Sequence, residues 1–312
     1  MKKYRCILTG GAGFLGMNVA RGLVNSGHEV VVIDKKPLIS DCTFDLQKKM
    51  RFIPADFKDL DKSEDVFQKG DILFHFAYSA LPGTPLNKMG DDIKENVFES
   101  VKLFEMAIKK GIKKIIFPSS GGTVYGEVSD FPIKEGMPTN PICSYGITKL
   151  MLEKYILFLS RMYGVGYLIY RISNSYGWGQ SVHSEQGLIV NALVKMLNGS
   201  QITIFGDDHM VRDYIYIDDI VNAFILGVEK DIRDDIYNIG TGRGYSIKEI
   251  IELVSKTVGV CPKVIYSNKR LVDVEKSILD PTKIRLASGW EAKVSLEEGI
   301  SKTHKWVKSA IY

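Results

Sequence analysis

The sequence predicts an α/β fold, in which a doubly wound parallel sheet is accompanied by a smaller mixed α/β lobe. Short apolar segments alternate with helical segments through residues 1–175, which is the pattern of repeated strand–helix–strand units. A glycine-rich turn joins the first strand to the first helix. After about residue 176 the pattern becomes turn-rich and mixed. These three observations predict a first domain over residues 1–175 and a second lobe over residues 176–312.

The predicted elements follow in order along the chain. The strands are short and rich in apolar or β-branched residues, and they cover Tyr4–Thr9, Glu29–Ile33, Asp71–Phe76, Ile112–Phe117 and Tyr167–Ile172. The helices have apolar residues at helical spacing, and they cover Phe14–Asn25, Ile93–Lys110, Ser144–Tyr163 and, in the second lobe, Gly187–Leu197. Two further helices are expected where capping boxes occur, at Ser246–Glu249 and Ser295–Glu298.

The composition predicts a soluble chain with a full hydrophobic core. Of the 312 residues, 45% are hydrophobic, and 41 Lys and Arg are interspersed with 37 Asp and Glu, a pattern that does not indicate a nucleic-acid partner. No apolar run reaches the roughly 18 residues of a membrane span. The four cysteines form no C-x-x-C pair, so we expect no disulfide framework, no metal site and a reducing, cytoplasmic setting.

The glycine-rich turn carries the first chemical signal. Gly10, Gly13 and Gly16 are spaced three apart between a predicted strand and a predicted helix. In that setting the first glycine permits a tight turn, the second lets the backbone approach a pyrophosphate, and the third lets the helix pack against the sheet. The helix that opens with Phe14 and Leu15 presents free N–H groups to the phosphates. The turn therefore predicts a dinucleotide-binding Rossmann domain.

Two acidic residues refine the predicted cofactor. Asp34 ends the second strand, where an acid can accept hydrogen bonds from the ribose hydroxyls and would repel a 2′-phosphate. NAD is therefore favoured over NADP, although Lys35 and Lys36 follow directly. Asp56 follows a third short strand and is a candidate to bond the adenine amino group, with a solvated loop position as the alternative.

Tyr145 and Lys149 are the candidate proton-transfer pair. They stand four residues apart on a predicted helix, so they share one face. A tyrosine hydroxyl titrates at about pH 10 in water, and we expect the ammonium of Lys149 and a positive nicotinamide to lower that pKa. Such a pair can exchange a proton with a substrate hydroxyl while hydride moves to or from NAD.

Further motifs extend the pattern along nearly the whole chain. They are Ser119–Gly126, Arg171–Asn174, Val211–Asp219 and Tyr237–Gly240. Together with the glycine loop and the tyrosine–lysine pair, they make the chain resemble the extended short-chain dehydrogenase/reductase family, and within it the UDP-glucose 4-epimerase-like enzymes. The resemblance implies NAD-dependent 4-epimerisation of a UDP-hexose through a transient 4-keto sugar, either UDP-glucose and UDP-galactose or the N-acetylated pair.

The same resemblance carries two expectations about the architecture. Part of residues 176–312 is expected to return to the first domain. A homodimer is expected through a four-helix interface, to which Ile93–Lys110 and Ser144–Tyr163 would contribute.

The resemblance also assigns the hydroxyl that assists Tyr145. Many family members carry Ser or Thr four residues before the tyrosine of the Val-Tyr-Gly motif, where this chain has Gly121. Members with a Gly-Gly pair have the hydroxyl one residue earlier, which is Ser120 here. Thr123 and Ser119 are the alternatives.

The remaining site residues come from the resemblance alone. Arg212 and Arg270 match two arginines that bind the UDP phosphates, a role suited to bidentate guanidinium groups. Asn174 matches a contact to the diphosphate region, and Asp273 matches an acid that bonds the ribose. The other matches are Gly187 and Leu188 beside the uracil, Asn96 beside the nicotinamide half of NAD, and Ser277 beside the sugar 2-position. A small residue at 277 would admit an acetamido group, and a solvent-facing side chain is the alternative.

Three other functions stay open from the sequence. Sugar-nucleotide 4,6-dehydratases carry an Asp-Glu pair just before Val-Tyr-Gly, where this chain has Gly122 and Thr123. A decarboxylase or uronate epimerase needs a cation for the substrate carboxylate, and the sequence offers no assignable one. A non-catalytic NAD-binding regulator would have no reason to keep Tyr145 with Lys149.

Overall fold

The computed structural model describes residues 2–38, 49–62, 66–83, 86–184, 186–268 and 272–311. Its main sheet contains β1 Arg5–Thr9, β2 Glu29–Asp34, β3 Met50–Pro54, β4 Ile72–His75, β5 Lys114–Ser120, β6 Gly166–Ile172 and β11 Asp235–Ile239. These strands are all parallel and lie in the order β11-β6-β5-β4-β1-β2-β3. The winding reverses between β1 and β4, which is where open α/β sheets bind ligands at their carboxyl ends.

Helices cover both faces of this sheet, because the strands of a parallel sheet are buried on both sides. Successive residues of β1 point to opposite faces, so Leu8 belongs to one layer of the core and Ile7 to the other. The first layer contains α1 Phe14–Asn25 and α6 Ile217–Glu229, and the second contains α3 Glu99–Lys109 and α4 Ser144–Tyr163. The doubly wound α/β fold class predicted from the sequence is confirmed.

The second lobe is built from short sheets and helices. Its strands are β7 Asn174–Tyr176, β8 Gln201–Phe205, β9 Val211–Arg212, β10 Tyr214–Tyr216, β12 Tyr245–Ser246, β13 Lys263–Ser267 and β14 Lys276–Ser277. They pair as β10-β7, β12-β9-β14 and β13-β8. Its helices are α5 Leu188–Leu197, α7 Ile247–Val258, α8 Thr282–Ser288 and α9 Leu296–Ile311. Between these elements β11 returns to the main sheet beside β6.

The predicted helix over Ile93–Lys110 is helical as expected, but its first part is a π-helical turn instead of an α-helix. A 3₁₀ turn over Leu86–Lys88 leads into the short helix α2 Met89–Asp92. The π-helical turn over Ile93–Phe98 follows, and α3 begins after it. Another 3₁₀ turn, Phe57–Lys62, lies earlier in the chain, before β4. Side chains compete with the backbone here, since the Oγ of Ser100 donates to the carbonyl oxygen of Asn96. By contrast, α1 and α4 begin and end at the predicted residues.

The capping box predicted at Ser246 is confirmed, because Ser246 and Glu249 exchange both of its hydrogen bonds. At Ser295 the hydroxyl accepts from the backbone N of Glu298 at 3.2 Å, which opens α9. Within the described ranges, no helix is both long enough and apolar enough to cross a membrane.

Candidate active site

The glycine loop lies at the carboxyl end of β1 and packs tightly on itself and on the chain that follows β4. Gly10 has a φ of 69°, and a Cβ there would lie 2.3 Å from the backbone nitrogen of Ala77. A Cβ on Gly16 would lie 2.4 Å from the carbonyl oxygen of Gly10. Neither distance leaves room for a side chain, so the close packing of this loop depends on glycine at both positions.

The loop leads into the N-terminus of α1. Gly13 is the N-cap residue and, as a glycine, has no side chain that could cap the helix. The N–H groups of the first turn, which begins with Phe14 and Leu15, have no intrahelical acceptor. Because the helix dipole is positive at this end, the turn is suited to hold phosphate oxygens.

Asp34 lies beside the glycine loop because β2 is the parallel neighbour of β1. Its Oδ2 accepts a hydrogen bond from the backbone nitrogen of Ala12 at 3.0 Å, and its Oδ1 accepts from that of Lys36 at 2.9 Å. Lys35 instead approaches Asp56, with 3.5 Å between its Nζ and Oδ2. The carboxylate of Asp34 is thus held at the glycine loop, and the amine of Lys35 lies near Asp56 instead.

A cavity of about 470 Å³ lies over these residues. Its lining includes five residues predicted to bind the cofactor: Gly10, Gly13, Asp34, Asp56 and Asn96. Residues 76–79, which were not predicted from the sequence, form one wall of the cavity and follow β4 at the same edge of the sheet. The available signal was its place after a predicted strand, because ligands bind beyond the carboxyl ends of such strands.

Tyr145 and Lys149 lie in the first two turns of α4 and pack against that wall. The Nζ of Lys149 donates to the carbonyl oxygen of Pro118 in β5 at 2.9 Å, and it lies 4.0 Å from the ring centre of Tyr78. The rings of Tyr78 and Tyr145 meet edge to face, with 5.3 Å between their centres. Tyr78 therefore connects the candidate proton-transfer pair to the cavity, a role that no sequence pattern indicated.

The titration of this pair differs from the prediction. Burial lowers the pKa of Lys149 to about 7, although the carboxylates of Glu153 and Asp92 act in the opposite direction. Burial raises the pKa of Tyr145, and the nearby Cys143 and Asp92 raise it further. The expected lowering of the tyrosine pKa by Lys149 is wrong for the groups of the protein itself. Burial, which disfavours the phenolate, is the largest cause of the rise.

The three candidate hydroxyls have different surroundings. Ser119 and Ser120 are consecutive residues of β5, so they point to opposite faces of the sheet. The buried Oγ of Ser119 donates to the carboxylate of Glu153. Ser120 is half-buried at the end of the strand, and the buried Oγ1 of Thr123 has no hydrogen-bond partner in the described part of the chain. Ser119 is therefore engaged, and Ser120 and Thr123 remain as candidates.

A buried ion pair attaches α4 to the sheet beneath these hydroxyls. The Nε of Arg171 in β6 donates to both carboxylate oxygens of Glu153, at 3.1 and 3.2 Å, and its second amino group donates at 2.7 Å. Both side chains are almost fully buried. Glu153 lies four residues after Lys149 on the same helix, so the pair helps to fix the direction of α4. Sequence reasoning did not single out Glu153.

Three residues that were predicted to bind the substrate lie on neighbouring segments of the chain. The backbone nitrogen of Asn174 donates to the carbonyl oxygen of Asp213 at 2.9 Å, and that of Asp213 donates to the oxygen of Ser277 at 3.0 Å. Arg212 precedes Asp213, so these bonds bring Asn174, Arg212 and Ser277 together. A Cβ on Gly122 would lie 3.5 Å from the Oδ1 of Asn174, which links this group to the segment that follows β5.

The guanidinium of Arg212 lies against the segment that follows Asp273. It donates to the carbonyl oxygens of Val274 at 2.6 Å and Glu275 at 3.2 Å. The predicted partner arginine, Arg270, lies outside the described residues.

Gly187 and Leu188 form the start of α5. Gly187 has a φ of 85°, and a Cβ there would lie 2.2 Å from the Nε2 of Gln180. The side chain of Gln180 thus lies directly against the backbone at this helix start.

The chain is similar to known proteins along its whole length. The sequence model of the NAD dependent epimerase/dehydratase family matches residues 6–240. A putative UDP-glucose 4-epimerase of Methanocaldococcus jannaschii is 33% identical over 304 residues, which cover 97% of this chain and 98% of that protein.

Two solved structures extend the similarity to the fold. The UDP-glucose 4-epimerase of Thermotoga maritima with UDP-glucose matches with a TM-score of 0.91 and 37% identity, covering 99% of this chain and 100% of that one. The UDP-N-acetylglucosamine 4-epimerase of Methanobrevibacter ruminantium, in complex with UDP-N-acetylmuramic acid, matches with a TM-score of 0.89 and 28% identity, covering 99% and 100%.

Proposed function

This chain belongs to the NAD dependent epimerase/dehydratase family, and from that premise we propose that it inverts carbon 4 of a UDP-hexose. The family match confirms the resemblance seen in the motifs, with NAD as cofactor and an isomerase as the class of enzyme. We propose UDP-glucose and UDP-galactose as substrates, together with the N-acetylated pair. The observation that carries the proposal is the contact of Tyr145 and Lys149, through Tyr78, with the wall of the cofactor cavity.

The residues of the cavity fit NAD. Gly10 and Gly16 leave no room for side chains at the loop, so its backbone can approach a pyrophosphate. The first turn of α1 offers N–H donors, and the carboxylates of Asp34 and Asp56 also line the cavity, where they would bond the ribose and the adenine. When bound, NAD supplies a reversible hydride acceptor, so that a sugar carbon bearing a hydroxyl can be oxidised to a ketone and reduced again.

The proton transfer is assigned to Tyr145, whose phenol would take the proton of the sugar 4-hydroxyl and return it. Lys149 would supply positive charge beside the phenolate, and the backbone oxygen of Pro118 holds its amine in place. Ser120 would donate a hydrogen bond to the reacting oxygen, because its hydroxyl stands at the strand end and that of Ser119 is engaged. General acid–base catalysis of this kind contributes roughly 10²- to 10⁴-fold in rate.

We assign NAD binding to residues 1–175 and substrate binding mainly to residues 176–312. Arg212 would hold the diphosphate, with Asn174 beside it and Ser277 facing the sugar. An epimerase must bind the nucleotide tightly and leave space around the sugar. The 4-keto sugar can then rotate and present either face to the same hydride donor. Gly122 and Thr123 follow β5 in the place where a dehydratase carries its acidic pair, and Gly122 lies close to Asn174.

We also propose a homodimer formed through α4. The exposed side of this helix carries large apolar side chains at helical spacing: Ile147, Tyr155, Phe158 and Met162. Phe158 and Met162 are 55% and 60% exposed, which is unusual for large apolar side chains unless they meet a partner. Sedimentation should give twice the chain mass, and Phe158→Glu should shift it to the monomer. A wild-type chain that sediments as a monomer at micromolar concentration would exclude this interface.

A product assay tests the function. The purified protein is incubated with UDP-glucose, UDP-N-acetylglucosamine or UDP-glucuronate, and no NAD is added. The nucleotide sugars are then separated by chromatography, and their masses are measured by mass spectrometry. We expect a new peak of unchanged mass, the 4-epimer, which Tyr145→Phe does not form. A product lighter by one water or one carbon dioxide, or no product from any of these sugars, would contradict the proposal.

A further inference from the structure

A buried carboxylate outside the predicted site joins the catalytic helix to the cofactor cavity. Asp92 is the last residue of α2, and only 4% of it is exposed. Its Oδ2 accepts a hydrogen bond from the Oγ of Ser144 at 2.7 Å. Its Oδ1 accepts from the Nδ2 of Asn96 at 3.0 Å. The Oγ1 of Thr148 lies 3.3 Å from the same Oδ1, and its one proton is shared between this oxygen and the carbonyl oxygen of Ser144 at 2.9 Å. Hydrogen-bond donors from two helical elements therefore converge on one carboxyl group.

On the side of the catalytic helix, the two hydroxyls adjoin the candidate proton-transfer pair. Ser144 directly precedes Tyr145, and Thr148 directly precedes Lys149. Thr148 also shares a hydrogen bond with the hydroxyl of Tyr78, the residue that packs against both. Since neighbouring residues of a helix move together, bonds that hold Ser144 and Thr148 also fix where Tyr145 and Lys149 point.

On the side of the cavity, the link runs through Asn96. Its Oδ1 accepts from the backbone nitrogen of Ser79 at 2.8 Å and from the Oγ of Ser79 at 3.2 Å. Ser79 and Asn96 both line the cavity. Asp92 is therefore bonded at one end to the helix that carries the proton-transfer pair and, through one side chain, to the wall of the cofactor site.

The network continues to the glycine loop. Asn96 belongs to the π-helical turn, a rare form that is frequently found at functional sites. Its carbonyl oxygen accepts from Ser100, whose Oγ lies 2.7 Å from the Nε2 of His75. The Nδ1 of His75 lies 2.7 Å from the Oγ1 of Thr9, the residue before Gly10. A continuous chain of buried polar groups thus reaches from the phosphate-binding turn to the catalytic helix.

The charge of Asp92 is compensated by these donors. In the described part of the chain, no Lys or Arg forms an ion pair with it. A buried carboxylate is stable only when its oxygens are hydrogen-bonded, so removing a donor is costly and the geometry is tightly held. A carboxylate that served only to begin a helix would not need donors from a second one.

We propose that Asp92 is a positioning residue for the epimerisation, which holds Tyr145 and Lys149 in register with the cofactor. This inference rests on the proposed function. A displacement of reacting groups by about 1 Å can cost on the order of 100-fold in rate, so even a modest rotation of the first turn of α4 would be measurable. The substrate contacts lie in the second lobe, so binding of the sugar nucleotide should be affected little.

Steady-state kinetics of four variants with UDP-glucose test the proposal. Asp92→Ala and Asp92→Asn remove the carboxylate, Ser144→Ala removes one donor and keeps the charge, and Asp91→Asn makes the same change at the exposed neighbour. We expect kcat to fall roughly 10- to 100-fold in both Asp92 variants and less in Ser144→Ala, with KM within threefold and bound NAD retained. Asp91→Asn should match wild type.

The pH dependence of kcat separates positioning from general stability. The negative charge of Asp92 favours the protonated forms of both Tyr145 and Lys149, so its removal should shift the profile to lower pH. Ser144→Ala should leave the profile in place. The other titratable groups that face this pair are unchanged in every variant, and they are Tyr78, Cys143, Glu153 and His75.

Two results would overturn the inference. One is an Asp92→Asn variant whose kcat and pH profile equal those of the wild type. The other is a loss of kcat that excess NAD restores, which would mean that Asp92 acts only on cofactor retention. If Asp92→Ala does not fold, Asp92→Asn and Ser144→Ala still decide the question. Failure of the proposed function would be seen separately, as a wild-type protein that converts no UDP-hexose.

Discussion

Ser277 lies directly beside Arg212, because the two residues are register partners across the parallel pairing of β14 and β9. Only 4% of Ser277 is exposed, so the alternative in which its side chain faces solvent is wrong. The residue expected beside the sugar is thus the neighbour of the residue expected on the diphosphate. A larger side chain at position 277 should therefore reduce the space for the sugar when the diphosphate is bound by Arg212.

We predict that Ser277→Tyr selectively loses the N-acetylated substrate. The larger ring would occupy the space of an acetamido group, so kcat/KM for UDP-N-acetylglucosamine should fall at least about tenfold more than that for UDP-glucose. Competition assays with both sugars measure the ratio directly, and Ser277→Ala is the control that keeps the pocket open. A wild-type enzyme that converts UDP-glucose and leaves UDP-N-acetylglucosamine untouched would refute the pocket assignment.

Replacing Tyr145 by Phe should abolish turnover and preserve the binding of UDP. In the proposed mechanism the phenol acts on the sugar hydroxyl, whereas Arg212 belongs to the second lobe. We therefore expect kcat to fall roughly 10²- to 10⁴-fold and the Kd for UDP to change less than about threefold. Single-turnover kinetics and calorimetry with UDP give the two numbers. If UDP binding weakens as much as turnover, the tyrosine has a structural role instead.

Ser120→Ala should slow turnover more than Thr123→Ala. Both hydroxyls are candidates to bond the reacting oxygen, and the loss of one such bond costs about tenfold. Ser119→Ala is the matched control, because its hydroxyl is bonded to Glu153 and should influence stability more than kcat. The opposite order for the first two variants would assign the catalytic hydroxyl to Thr123.

NAD should co-purify with the protein. An epimerase regenerates its cofactor in every cycle, and the glycine loop with Asp34 forms a closely packed cradle at the end of β1. Heat denaturation releases the bound nucleotide, which enzymatic cycling assays then identify. Recovery of NADP alone would show that Asp34 does not select against a 2′-phosphate.

Glu153→Ala should destabilise the fold strongly. It would leave the guanidinium of Arg171 buried without its carboxylate, which typically costs about 3–5 kcal/mol. The midpoint of urea unfolding should fall accordingly, whereas Glu105→Ala, at an exposed position of α3, should change stability by no more than about 0.5 kcal/mol. Equal midpoints for the two variants would mean that the ion pair contributes little.

The sequence by itself determined the local features of this protein. The helices α1 and α4 begin and end at the predicted residues because apolar spacing and end signals act over a few residues. For α4 the end signal is the left-handed Gly164. The glycine loop and the spacing of Tyr145 and Lys149 are likewise local, so the cofactor class and the catalytic pair could be proposed from the sequence.

Only the tertiary structure decided which of these groups meet. β11 joins the main sheet beside β6, although its residues lie more than 60 positions further along the chain. The Ser119 hydroxyl is engaged because Glu153 folds against it from 34 residues away, and Asp92 reaches Ser144 across 52 residues. Burial, which a sequence pattern does not specify residue by residue, raises the pKa of Tyr145 and lowers that of Lys149. Contacts of this range depend on how whole elements pack, and no window of neighbouring residues contains that information.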